Sequence, residues 1–291
     1  MTMKVGTSVP TDSASSDGDP RSPRPGTEGT GNTEGYVGVE QIEGLRVLTL
    51  TRPGRHNGMD TQMLVGLADE MRRAAWDRDV RAVLITGAEG TFSAGGDPSE
   101  MAGEDPLGTA DLWTQISADV ASRIFHAEKP VVAAVEGVAI GAGFALAIAC
   151  DVVLASETAR FGPVFVRRGI LPDHAALFFL PRIVGLLAAK DLMFSGRVLD
   201  ATEAESLRLC TRVLPAEGFA EAALEEARDL AAGPTRAMAA AKLVMNKGLE
   251  TDMWTVQAFE RLVQPGLFSS EDFQEGFAAF RERRDPEFRG R

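Results

Sequence analysis

Twenty consecutive residues, Val131 to Cys150, read VVAAVEGVAIGAGFALAIAC, and this run limits the possible folds more than any other part of the chain. Its length is that of a membrane span. However, Glu136 and three glycines, Gly137, Gly141 and Gly143, interrupt it, and it lacks the flanks of a stop-transfer helix. The pattern predicts a buried strand over Val131–Val135, a glycine turn, and a buried helix over Ala142–Cys150. With no second candidate span, the expectation is a soluble protein without membrane partners.

A similar unit precedes it. Ala82–Thr86 (AVLIT) reads as a short apolar strand, followed by the small-residue turn Thr91-Phe92-Ser93-Ala94-Gly95-Gly96-Asp97. Val37–Ile42 and Leu45–Leu50 read as strands of a hairpin around Glu43-Gly44. Met59–Trp76 has helical spacing, with Asp60 or Thr61 as N-cap. Residues 98–109, rich in Pro, Gly and acids, predict a mobile loop, and Leu112–Phe125 a helix. Val152–Ala155 is a further buried strand. From Ala175 onward the pattern is almost wholly helical, with a stop and restart at Gly233-Pro234. Strands alternating with helices predict an α/β core with crossover connections.

Residues 1–34 hold almost no large apolar side chains, so they cannot bury enough surface to offset ordering entropy, and a disordered tail is predicted. Order is expected from about Tyr36. The domain reading is tail 1–34, core 35–232, and helical region 233–291. A net charge of −12 argues against nucleic acid, because phosphate-binding surfaces need clustered Lys and Arg. Only two cysteines, Cys150 and Cys210, are present. That suits a reducing cytoplasm. No Cys/His cluster has zinc spacing, and no nucleophile elbow has a matching histidine and acid.

The two glycine turns carry the chemistry. Small residues let a ligand approach the main chain. The second turn opens a helix whose first N–H groups lack internal partners and sit at the positive end of its dipole. Converging amides from the two turns would hold a thioester oxygen as it becomes an enolate. Losing one such donor costs about 3–4 kcal/mol in the transition state. Taken singly, each turn also fits a tight turn or a packing site.

Several motifs occur together and in order over residues 36–290: Leu50-Thr51-Arg52-Pro53 with Asn57, Phe92–Asp97, Lys129–Gly137 running through to Cys150-Asp151, Phe161-Gly162-Pro163, Gly169–Asp173, Leu180-Pro181-Arg182, and Glu275-Gly276 to Phe280. At these residues the chain resembles the crotonase (enoyl-CoA hydratase/isomerase) superfamily. The resemblance implies an α/β fold, a spiral of ββα units with a helical C-terminal region that builds a homotrimer or dimer of trimers. It implies an acyl-CoA substrate, with no cofactor besides the coenzyme A that the substrate carries. It assigns the oxyanion donors to the N–H groups of Gly96 and Ala142. It places Ser93, Ala94 and Asp97 along the adenine and pantetheine. Arg283 falls at a basic CoA-contact position, or else on a solvated helix face.

Hydratases of that family carry two glutamates around a water. The matching positions here are Ala145 and Phe165, neither of which transfers a proton. Asp173 matches an aspartate of isomerase and dehalogenase members. It is either a proton shuttle, its pKa raised by Phe165 and other apolar neighbours, or the cap of the helix near Ala175. His174 adjoins it and would tune it or contact the acyl group. Asp97, Glu100 and Glu104 are alternative acids from the loop. The leading expectation is an enoyl-CoA isomerase-type enzyme. A hydratase or hydrolase with an unorthodox base and a non-catalytic CoA-binding protein are the alternatives.

Overall fold

The computed structural model describes residues 36–101 and 105–291. The tail expected over 1–34 and the loop acid Glu104 lie outside the described residues. In chain order the elements begin with β1 (Val37–Ile42), β2 (Leu45–Leu50), α1 (Thr61–Trp76), β3 (Ala82–Gly87), the one-turn α2 (Pro98–Met101) and α3 (Pro106–Phe125). Next come β4 (Val131–Val135), β5 (Val138–Ile140), α4 (Ala142–Ala149), β6 (Val152–Ser156), β7 (Arg160–Gly162) and a 3-10 helix over Val164–Arg168. Then follow α5 (Ala176–Val184), α6 (Leu186–Ser195), β8 (Leu199–Asp200), α7 (Ala201–Ser206) and β9 (Arg212–Leu214). The chain ends in α8 (Phe219–Ala232), α9 (Thr235–Gly248), α10 (Met253–Phe268) and α11 (Glu271–Glu282).

Six strands form one sheet in the order β1-β2-β3-β4-β6-β9, and β5-β7-β8 form a smaller one. Only the β1–β2 pair of the larger sheet is antiparallel, as its hairpin requires; β2–β3, β3–β4, β4–β6 and β6–β9 are parallel and use crossovers. Alternation along each strand divides the core. Val83, Ile85, Val131, Ala133 and Val135 face α1 and α4, whereas Ala82, Leu84, Val132 and Ala134 face the Phe219–Ala231 stripe of α8. With both faces covered, β4 carries no polar residue, which is why its sequence imitated a membrane span. Among the described residues no helix is long and apolar enough to cross a membrane.

The mobile loop expected over 98–109 is corrected at its described residues, which form two helices, while 102–104 lie outside the described residues. Asp97 accepts from Ser99 N at 2.9 Å, starting α2, and Asp105 accepts from Gly108 N at 2.9 Å with Pro106 behind it, starting α3. The acids and prolines that suggested a loop are caps and first-turn residues. The short strands β8 and β9 likewise interrupt the stretch after Ala175 that reads as helical.

A buried lysine and its aspartate partner tie α9 and the start of β4 to the core. Lys242 Nζ, on α9, bonds Ile124 O and Asp151 Oδ2, each at 2.7 Å. Asp151 in turn accepts from Val131 N at 2.8 Å, the first residue of β4. Burial pushes the Asp151 carboxyl above its usual range, against the opposing pull of Lys242. Removing one partner strands the other charge. Lys242→Ala is therefore expected to cost about 3 kcal/mol in denaturant unfolding, while Lys242→Arg costs less.

Candidate active site

β3 and β4 are neighbours in parallel register, Val83 to Val131 through Thr86 to Ala134, so the chain leaves both at the same edge. Ligands in parallel α/β sheets bind beyond the carboxyl ends of strands. The two glycine turns meet there. Ser93 N donates to Val138 O at 2.8 Å and Ile140 N donates to Ser93 O at 3.0 Å. On its other side the first turn is held by Met59 N to Gly95 O at 2.8 Å and Asp97 N to Met59 O at 2.7 Å. This parallel bridge aims the Gly96 N–H away from Met59.

Two glycines allow the approach. A Cβ on Gly95 (φ +91°) would lie 2.5 Å from Ile140 O, and one on Gly143 would lie 2.5 Å from Ser93 O. Ala142 begins α4, where its N–H has no intrahelical partner. Among the described residues neither the Gly96 nor the Ala142 N–H donates to any protein acceptor. Both residues line one cleft, with Ala94, Phe165, Arg168 and Asp173 also in its wall. Its free volume is about 20 Å³, room for about one water.

Among the described residues, Asp173 is the only carboxylate in that wall. Trp113 Nε1 donates to its Oδ2 at 2.6 Å, and His174 Nδ1 lies 3.1 Å from its Oδ1. Burial pushes this carboxyl up, but the His174 hydrogen bond and charge and the Trp113 bond outweigh it, leaving the group below its usual range. The expectation that Phe165 and apolar neighbours would raise it is corrected. Desolvation acts as expected, and the two donors, one of them sixty positions distant in sequence, reverse the net direction. The capping role is corrected too. α5 starts at Ala176 after an N-cap Ala175 with no side-chain bond, and only the Asp173 carbonyl meets Ala176 N, at 2.9 Å. His174 (φ +46°) and Ala175 (φ +55°) are both left-handed. Such residues cost about 1–2 kcal/mol each.

Ser93 is fully buried, its hydroxyl donating to Asn57 O at 2.8 Å and accepting from Gly95 N at 3.1 Å. Its side chain shapes the turn and is not presented to a ligand. Asp97, 3% exposed, pairs with Arg52 at 2.8 Å and accepts from Ser99 N and Oγ. Those bonds hold its carboxyl down at about 2, Ser99 contributing most. The carboxylates of Asp97 and Glu100 are both committed, since Glu100 accepts from Thr61 N and Oγ1. Both side chains are spent within the protein, on Arg52, Ser99 and Thr61. Arg283 caps α11, exposed, and is not in the cleft wall. Ala145 and Phe165 are buried.

Sequence reasoning missed how much Asn57 does. Its amide donates to Ala88 O and Thr91 O at 2.9 and 2.6 Å while its Oδ1 accepts from Arg52 N at 2.9 Å, so one side chain clamps the whole approach to the first turn. Its position in the opening motif was the available signal. It also missed Arg168, and Trp113 as a partner of Asp173.

Fold and cleft together define an α/β protein with two unpaired main-chain amides and one carboxylate in the wall of a single cleft. The family model described as Enoyl-CoA hydratase/isomerase matches residues 40–291, and the chain belongs to that family, the crotonase superfamily of acyl-CoA enzymes. It is 35% identical over 258 residues to the 2,3-dehydroadipyl-CoA hydratase of Escherichia coli, covering 87% of this chain and 98% of that one. It is 34% identical to the mitochondrial methylglutaconyl-CoA hydratase of Rattus norvegicus, covering 92% and 88%. The crystal structure of an enoyl-CoA hydratase from Bacillus anthracis superposes with a TM-score of 0.84 at 28% identity, covering 88% of this chain and all of the other.

Two outcomes follow from this geometry. Gly143→Ala pushes a methyl into Ser93 O, so it should lower the unfolding midpoint and weaken acyl-CoA binding in calorimetry by at least tenfold. Gly66→Ala, whose added methyl would meet only the Val37 side chain at 3.5 Å, should do neither. Asp97, depressed to about 2 from 3.8, contributes stability that is full above its unfolded pKa and lost as pH falls through the folded one. The pH-dependent part of the stability difference between wild type and Asp97→Asn should therefore be constant near pH 7, shrink below about pH 4, and be lost only below about pH 2 in urea titrations.

Proposed function

We propose that this protein isomerises an enoyl-CoA. The Gly96 and Ala142 amides hold the thioester oxygen as it gains negative charge. Asp173 takes a proton from the α-carbon of a 3-enoyl chain, the electrons delocalise into the thioester as a dienolate, and the same carboxyl returns a proton to the γ-carbon. The observation that carries the reading is the pairing of one carboxylate with two free amides in a single cleft wall. The absence of carboxylates at Ala145 and Phe165 supports it, since adding water calls for both a base and an acid. An ionised Asp173 is ready to act as the base at neutral pH, in line with the downward direction of its pKa.

The names of the relatives favour a second reading, hydration. Of the unorthodox bases that hydration would recruit, His174 is buried with Nδ1 turned to Asp173, and Asp97 and Glu100 are engaged. Among the described residues, Asp173 would have to serve alone. Incubating a 3-enoyl-CoA with the protein in D2O and following both product and label separates the readings. Wild type should isomerise and Asp173→Asn should lose about 10²–10⁴-fold; equal isomerisation and exchange by the variant remove Asp173 from the mechanism. Loss of the conjugated-thioester absorbance with crotonyl-CoA would instead support hydration. Because the folded pKa of Asp173 lies below 3.8, kcat/KM should stay level across neutral pH and fall only in the acid range.

Assembly into trimers is part of the same reading. α10 buries no residue within the single chain, and Trp254 and Leu262 on it are each 77% exposed. Such a surface suits burial against other copies. Replacing both residues with Glu should yield monomers in sedimentation experiments.

A further inference from the structure

Asp173 differs from an ordinary buried carboxylate in being gripped at both oxygens by residues from different elements. Trp113 comes from α3 and reaches Oδ2 at 2.6 Å. His174 follows Asp173 in the chain and reaches Oδ1 at 3.1 Å, its ring turned by a left-handed backbone. A Trp indole nitrogen is a donor only, so the Trp113 bond has one direction and favours a negative acceptor. Trp113 is 6% exposed, unlike Trp76 at 84% and Trp254 at 77%, and it spends its single donor here.

The far side of His174 is closed. Its Nε2 is buried and has no hydrogen-bond partner among the described residues. Facing the carboxylate, Nδ1 donates to Asp173, and among the described residues Nε2 starts no onward hydrogen-bond chain. Among the described residues, the other charged group in the cleft wall is Arg168.

We infer that Trp113 is a positioning residue for the reaction: its indole N–H, opposite the His174 imidazole, holds the Asp173 carboxylate ionised and fixed in orientation toward the cleft. This rests on the assignment of Asp173 as the proton carrier. It adds that the base is set by a helix otherwise remote from the chemistry. It also means that a proton taken by Asp173 has no exit through His174, so return to the substrate competes well with exchange into solvent.

The test uses the full chain labelled with ¹⁵N. The Trp113 indole N–H resonance should lie downfield of those from the exposed Trp76 and Trp254, and should move upfield in Asp173→Asn. In Trp113→Phe the acid limb of kcat/KM should rise by about one pH unit or more, the loss expected for one bond to a charged group, with KM changed less than kcat. His174→Asn, which tolerates a left-handed backbone and keeps a donor, should retain more activity than His174→Ala. An indole resonance unmoved by Asp173→Asn, or a folded Trp113→Phe enzyme with an unshifted acid limb, overturns the clamp. If Trp113→Phe fails to fold, the indole shift in the Asp173→Asn protein still decides. Full activity in Asp173→Asn would overturn the assignment of the base, whereas an inactive Asp173→Asn with an unmoved indole resonance sinks the clamp alone.

Discussion

Everything in the cleft depends on two loops touching main chain to main chain. Ser93 is stitched to Val138 and Ile140, and the positions of Gly95 and Gly143 leave no room for even a methyl between the turns. That contact is what lets amides from separate crossover units share one wall. Asn57 and Met59 brace the first turn from behind. The donors are thus held by covalent and hydrogen-bonded structure before any ligand arrives, which is the condition under which such dipoles stabilise developing charge at little reorganisation cost.

The acids near this contact have divided roles. Asp97 is sunk among Arg52 and Ser99 and spends its charge on holding the turn and starting α2. Glu100 does similar work for α1. Among the described residues Asp173 alone is left facing the cleft, and its environment is mixed: burial disfavours its charge while two donors favour it. A net downward direction in so buried a group means that hydrogen bonding and the charge of His174 have outweighed desolvation, and it keeps the carboxylate ionised at neutral pH. The distance of α3 from Asp173 along the chain means that this balance is a product of packing.

Much of the scaffold was legible in local pattern. Alternating and continuous apolar runs located β1 to β4 and β6 because strand burial is periodic in the side chains themselves. The Asp60 cap of α1 and the Gly233-Pro234 break were legible for the same reason: capping is a local hydrogen-bond chemistry. The helices at 98–101 and 106–125 were misread at their starts because the acids that cap a helix are the acids that populate loops. At the site, the small residues of both turns were visible, but the use of Ser93 and Asp97 was not. A hydroxyl or carboxylate beside glycines serves a ligand or the loop itself, and only its partners tell which.

By itself the sequence determined that two strand–turn–helix units with small residues at their bends would be present, that the second would open an apolar helix, and that Ala145 and Phe165 could carry no proton. These are consequences of side-chain chemistry and period. Tertiary structure decided that the bends interlock, that Asp173 faces the cleft without capping α5, and that Trp113 and His174 hold its charge against burial. Those outcomes depend on contacts between residues far apart in the chain, whose distances no local pattern encodes.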